Sequence, residues 1–219
     1  VGPHVASSAV AMDKTLTKLV VDHAGVPQAA WELVRRSELN NHMENTLDTL
    51  QLRFRYPMFV KPAGTGSSVG VSKAANREQL TSALLNAGRY DEKILVEEFI
   101  DGVEVEVAVL GNEDPVASVA GEIDSGAEFY DYDAKYVNDT SVAYIPARIL
   151  ESVSEQVRKT AVQVYKAVGC RGLSRVDFFV TRKDNRVIFN EINTLPGFTS
   201  ISMYPKLFAA SGIPYKEII

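Results

Sequence analysis

Apolar residues recur along this chain with two periods. Val10, Met12, Leu16, Leu19 and Val20 fall at helical spacing within residues 8–24, where Ser7 or Ser8 is placed to cap the start and Gly25 with Pro27 to end it. Residues 75–88 repeat that spacing, and residues 150–168 do so more strongly. A polar stretch at 40–48 leads into a helix expected to end near Arg55, and a last helix is expected over 205–210. Short apolar runs at 29–35, 58–61, 94–100, 116–123 and 142–145 predict strands, as does 103–110, where Val alternates with Glu. Residues 175–180 and the run that begins at Val187 flank the turn-forming tetrapeptide Arg182-Lys183-Asp184-Asn185, which predicts a β-hairpin. Residues 125–140 are polar and aromatic without clear period, a long loop of the kind that is often functional. Short turns join several strands, so the pairing is mainly antiparallel. The class is α+β, not a doubly wound parallel sheet.

Composition narrows the function classes. The 219 residues fit one large domain or two small ones, and no apolar run approaches the length of a membrane-spanning helix, so no membrane partner is expected. A net charge of −5 with scattered basic residues argues against a nucleic-acid partner. Cys170 is the single cysteine, which excludes an internal disulfide and favours a cytoplasmic location. The chain opens Val1-Gly2-Pro3-His4, with neither an initiator Met nor a signal pattern, and is expected to be a fragment.

The candidate chemistry is concentrated near the end of the chain. On such a hairpin Asp177, Glu191 and Asn193 could converge as a cluster of oxygen ligands, which suits Mg²⁺ with phosphates completing the shell. Arg175 stands two residues before Asp177, hence on the same strand face. It is placed either to stabilise a transferring phosphoryl group or oxyanion, or simply to pair with Asp177. Lys61 ends a strand and precedes a loop containing Gly64, Gly66, Ser67, Ser68 and Gly70. Backbone N–H groups there can approach a phosphate, although the loop lacks the Walker pattern and also fits an ordinary surface loop. Glu97, Glu98 and Glu104 surround Phe99-Ile100, either as acceptors for ribose hydroxyls or as a solvated acidic face. The loop at 128–136 holds Tyr130, Tyr132, Lys135 and Tyr136. It is either a lid over reacting phosphate or an exposed aromatic segment. A boundary near 97–101 would place a nucleotide between two lobes.

Together these motifs resemble the D-alanine–D-alanine ligase family of the ATP-grasp superfamily. The resemblance runs through Ala11-Met12-Asp13-Lys14, Phe59 to Lys73, Glu104 to Gly111, Phe129 to Tyr136 and Asn190 to Thr199, and covers nearly the whole chain. It implies an ATP-grasp fold with nucleotide between two mainly antiparallel sheets. One lobe is residues 1–97, with 1–13 the tail of a linker from a missing N-terminal domain, and the other is residues 98–219. The resemblance implies ATP as cofactor, with two Mg²⁺ ions or Mn²⁺ in their place. Lys14, Lys61 and Lys135 would contact phosphates, Glu97, Glu98, Phe99, Ile100 and Glu104 the adenine and ribose, and Asp177, Glu191 and Asn193 the metal. Arg175 with the Gly197 N–H would hold an oxyanion, Ser67 and Tyr136 would belong to loops that meet over the site, and Ser202 would bind the second D-alanine. The implied reaction joins two D-alanines through an acylphosphate, for peptidoglycan precursor synthesis, in a homodimeric full-length enzyme. A D-lactate-using variant, another ATP-grasp carboxylate–amine ligase and a non-catalytic ATP-binding module are the alternatives.

Overall fold

Short turns and alternating strands build two antiparallel sheets, as the α+β reading expects. The computed structural model describes residues 2–124 and 142–218. The helices are α1 (Val5–Met12), α2 (Lys14–His23), α3 (Arg36–Arg53), α4 (Arg77–Tyr90), α5 (Glu151–Ala167) and α6 (Met203–Ala210). The strands are β1 (Trp31–Arg35), β2 (Met58–Pro62), β3 (Ser72–Ala74), β4 (Lys93–Glu98), β5 (Gly102–Gly111), β6 (Val116–Ala117), β7 (Gly121–Asp124), β8 (Val142–Tyr144), β9 (Gly172–Thr181) and β10 (Val187–Asn193).

The smaller sheet has the order β1-β4-β2-β3. Its core face, with Val34, Met58, Val60, Ile94 and Val96, packs on Leu39, Leu47 and Leu50 of α3 and Leu80 and Leu84 of α4. Period-two alternation turns Phe59, Lys61 and Glu97 to the opposite face, where Phe59 and Glu97 are direct cross-strand partners. The larger sheet runs β10-β9-β5-β7-β8, with β6 on β5. Val105, Val107, Val109, Val176 and Phe178 bury one face against Val157, Ala161 and Val164 of α5. On the other face, Ala108 and Leu173 meet Met203, Tyr204, Leu207 and Phe208 of α6. The remainder of that face carries charge.

The order of elements follows the sequence pattern, and the differences have local causes. The helix expected over 8–24 is two helices, because Asp13 adopts an extended conformation and its carboxylate accepts from Thr15 N and Leu16 N, capping α2. Ser7 lies inside α1 with its hydroxyl donating to His4 O, and neither Ser7 nor Ser8 is the cap. The polar stretch at 40–48 is itself helical within α3, which is kinked at His42. The strand expected over 116–123 divides into β6 and β7, since the Ser118 hydroxyl takes the Ala108 N–H that would continue the ladder. After α6, Tyr215–Glu217 forms a single 3₁₀ turn. The loop at 125–140 lies outside the described residues. Packing also departs from the 1–97 grouping at its start: Val10, Ala11, Val20 and Val21 pack with the core of the larger sheet.

Three charges from α2, β2 and β4 are clustered. Lys18 Nζ lies 2.5 Å from Glu97 Oε1, and Lys61 Nζ lies 2.6 Å from Glu97 Oε2. Lys18 is 2% exposed and Glu97 4%. Burial alone would raise the Glu97 carboxyl; Lys61 and Lys18 outweigh it and hold it at about 2 instead of 4.5. Burial lowers the Lys18 ammonium, opposed by Glu97.

Two stability measurements test these features. Leu84→Ala removes a fully buried side chain and is expected to cost about 2–5 kcal/mol in urea unfolding. Glu97, with its depressed pKa, contributes stability that is fully present above pH 4.5 and lost as pH falls toward about 2. Glu97→Gln is therefore expected to be destabilised by about 3 kcal/mol or more at pH 7. That gap should narrow steadily in unfolding curves taken below pH 4.5; a gap unchanged by acid would show that Glu97 is not held as an anion.

Candidate active site

A cavity of about 730 Å³ opens between the charged faces of the two sheets. Lys14, Lys61, Ser67, Glu97, Glu98, Phe99, Ile100, Glu104 and Glu191 all line it, bringing together candidates spread over 178 positions of the chain. Lys14 opens α2 and its ammonium donates to Thr65 O at 2.5 Å, tying the helix to the glycine-rich loop. In that loop Ser67 and Ser68 have φ of 51° and 58°, a left-handed conformation that side chains rarely adopt and that recurs at ligand-binding turns. Glu98 accepts from Ala30 N at 2.8 Å, fixing the exit of β4. Phe59 and Phe99 stack with centroids 6.1 Å apart, and Lys73 stands 4.7 Å over the Phe99 ring.

The larger sheet contributes an acidic row. Glu106 on β5, Asp177 on β9 and Glu191 on β10 are direct cross-strand neighbours, and the next row holds Ala108, Arg175 and Asn193. Directly opposed residues share a face, so strand register alone gathers these groups. Arg175 binds Asp177 through Nε at 2.8 Å and Nη2 at 2.7 Å, and its Nε lies 3.2 Å from Glu106 Oε2. Burial would lower the Arg175 pKa, but Asp177 and Glu106 hold it well above the ordinary guanidinium range. Asn193 Nδ2 donates to Asp177 Oδ2 at 3.0 Å and to Glu191 Oε1 at 3.5 Å. The amide thus bridges two carboxylates with the positive end of its dipole. A cation there, with the amide turned to present its oxygen, would meet three hard oxygen donors, which suits Mg²⁺ or Mn²⁺.

A β-bulge between Phe189 and Glu191 completes the arrangement. The core positions of β10 are Val187, Phe189 and Ile192, a step of two followed by a step of three. Asn190 and Glu191 consequently both reach the cavity, and Lys61 Nζ donates to Asn190 Oδ1 at 3.4 Å. Beyond β10, a Cβ on Gly197 would stand 2.7 Å from Ser202 Oγ, so any larger residue there would displace the Ser202 hydroxyl. Ser202 Oγ accepts from Thr199 N at 3.0 Å. Arg175, Asp177, Asn193, Gly197 and Ser202 do not themselves line the cavity; the first three adjoin Glu191, which does, and the last two follow β10 in the chain. Lys135 and Tyr136 lie outside the described residues.

Sequence reasoning missed four participants. Lys18 lies one helical turn after Lys14, a spacing that puts both on one face. Glu106 continues the Val/Glu alternation from Glu104, which was signal enough to find it. Asn190 needs the bulge to reach the site and Arg148 needs a pairing across the sheet, so neither announces itself locally. Arg148 Nη2 lies 2.5 Å from Glu122 Oε1 and 2.9 Å from Asp124 Oδ2 at the cavity wall.

Comparison with known proteins gives this geometry a lineage. The family model described as D-ala D-ala ligase C-terminus matches residues 20–219. A D-alanine–D-alanine ligase of Acetivibrio thermocellus is 54% identical over all 219 residues, and one of Ruminiclostridium cellulolyticum is 52% identical. The chain spans 58% and 59% of those two relatives. Among solved structures, the VanG D-Ala:D-Ser ligase of Enterococcus faecalis superposes with a TM-score of 0.90 at 36% identity. The D-alanine–D-alanine ligase of Coxiella burnetii does so with 0.82 at 39%. Both are matched over the whole of this chain and over 62% and 58% of their own lengths. The two antiparallel sheets have the ATP-grasp architecture expected from the sequence. The chain belongs to the D-alanine–D-alanine ligase family and corresponds to its C-terminal part.

Proposed function

We propose that the intact protein joins two D-alanines at the expense of ATP, and that this chain supplies the nucleotide and metal half of the site. The observation that carries this reading is the convergence of Asp177, Glu191 and Asn193, with Arg175 bonded to Asp177, on a strand face beside a lysine-lined cavity. Family membership supports ATP use. Residues 1–97 and 98–219 are read as the two lobes that grip the nucleotide, apart from the α1 and α2 packing noted above. The protein is read as a cytoplasmic homodimer when whole.

In this reading Lys14 and Lys61 hold the phosphates of ATP, Glu97, Glu98 and Glu104 fix the base and sugar, and Phe99 and Ile100 flank the adenine. Asp177, Glu191 and Asn193 would hold one or two Mg²⁺ ions. When bound, these ions offset charge on the transferring phosphoryl group. A carboxylate oxygen of the first D-alanine attacks the γ-phosphorus, giving an acylphosphate and ADP. The amine of the second D-alanine attacks the acyl carbon, and phosphate leaves. Arg175 spends Nε and Nη2 on its carboxylates, and among the described residues Nη1 remains to donate to the oxyanion together with the Gly197 N–H. Ser202 would bind the carboxylate of the second D-alanine. Ser67, with Lys135 and Tyr136, would close over the reacting groups and keep water from the acylphosphate.

Phosphate release from ATP by the intact protein, measured with and without D-alanine, tests the reading. Release that depends on D-alanine and yields the dipeptide is expected. Turnover indifferent to D-alanine would instead indicate another carboxylate–amine ligase, and nucleotide binding without turnover an ATP-binding module. Supplying D-serine or D-lactate beside D-alanine identifies the second substrate. Asp177→Asn and Arg175→Met are each expected to lower kcat by about a hundredfold or more. Wild-type turnover in both variants would remove the strand face from the chemistry.

A further inference from the structure

Lys18 is a buried ammonium that the reaction above does not use. It is 2% exposed and does not line the cavity, whereas its partner Glu97 and the next member of the cluster, Lys61, both do. Glu97 stands between them, one oxygen 2.5 Å from Lys18 and the other 2.6 Å from Lys61. Burying an ammonium is costly unless something is gained from its charge. A Lys61–Glu97 pair by itself is neutral, and an anion in the cavity would meet a small dipole there. With Lys18 present the cluster carries one net positive charge, and Lys61, at 16% side-chain exposure, is the member that shows it to the cavity. Helix α2 makes this possible: Asp13 caps it, Lys14 reaches the glycine-rich loop from its first turn, and Gln28 Nε2 donates to the Lys18 carbonyl at 2.9 Å. The neighbouring Glu98 carboxylate also acts on Lys18 through space, but it accepts from Ala30 N, and both lysines pair directly with Glu97 instead.

We propose that Lys18 is a positioning residue for the phosphate end of the nucleotide, a buried counter-charge that keeps Glu97 from neutralising Lys61. The inference rests on the cavity being a nucleotide site. It predicts an effect that grows with the charge of the ligand, because a Coulomb interaction scales with the product of charges while a packing defect does not.

Calorimetric titration of the intact protein with ATP, ADP and adenosine tests this. The readout is the ratio of ATP to adenosine affinity, which cancels changes in base and sugar contacts. In Lys18→Met that ratio is expected to fall about tenfold, with ADP intermediate. In Lys18→Arg it should stay near the wild-type value. In Lys18→Met combined with Glu97→Gln it should recover, since Lys61 again stands uncompensated. Should Lys18→Met fail to fold, Glu97→Gln gives the converse reading, a ratio raised above wild type. Equal loss of ATP and adenosine in Lys18→Met, or no recovery in the double variant, would overturn the inference while leaving the nucleotide site intact. A wild-type protein that binds none of the three ligands would overturn the nucleotide reading, and this inference with it.

Discussion

A carboxylate taken out of water must find a cation, and the layout of this molecule answers that demand four times over. Glu97, Glu106, Glu122 and Asp177 are all buried. Glu97 lies between Lys18 and Lys61, Arg175 serves Asp177 and Glu106 together, and Arg148 serves Glu122. Desolvation of one such ion costs several kcal/mol, so none of these acids would stay ionised without its partner. The same pairing keeps Glu97 and Glu122 as anions at the wall of the cavity, where hydrophobic packing would have been simpler. It also fixes their side chains, since a bidentate guanidinium tolerates little rotation of the carboxylate it holds.

Each sheet makes this affordable through alternation. Val105, Val107 and Val109 bury one face of β5 in the hydrophobic core, which leaves Glu104 and Glu106 for the other. In the smaller sheet Met58, Val60, Ile94 and Val96 do the same for Lys61 and Glu97. The cores stabilise the strands, and the charged faces are free to meet across the cavity. A loop-built site would not hold the acidic row so rigidly, because cross-strand neighbours on adjacent strands have little freedom to drift.

Much of this was legible in the sequence, for reasons that also mark where reading stopped. Strands, hairpin and α5 follow from short-range periodicity, and the Arg175/Asp177 spacing already put both side chains on one face. The break at Asp13 was hidden because a single capping residue interrupts a helical period without changing it. The division of 116–123 depends on one hydroxyl, that of Ser118, replacing a backbone partner. Lys18 carries no local sign of its burial, since its partner Glu97 lies far along the chain and only the ion pair between α2 and β4 unites them. The convergence of Asp177, Glu191 and Asn193 was readable because they sit on adjoining strands of one hairpin. The pairing of Arg148 with Glu122 spans residues whose relation no periodicity encodes.

The bulge at Asn190 divides β10 into two segments with opposite parity. Before it, odd-numbered residues point to the core; after it, even-numbered ones do. The extra residue therefore works as a phase shift, letting Asn190 reach the cavity beside Glu191 without moving Phe189 or Ile192 from the core. Deleting Asn190 would remove the bulge and leave Glu191 opposite Asp177 in plain alternation, without the Asn190 amide beside Lys61, whereas inserting one more residue before Glu191 would turn Glu191 and Asn193 toward the valines and phenylalanines behind them or demand a second bulge. Substitutions can tune this face one side chain at a time. Added residues act on all of it at once, and so the spacing of β10 is a heritable constraint in its own right, separate from the identity of any residue on it.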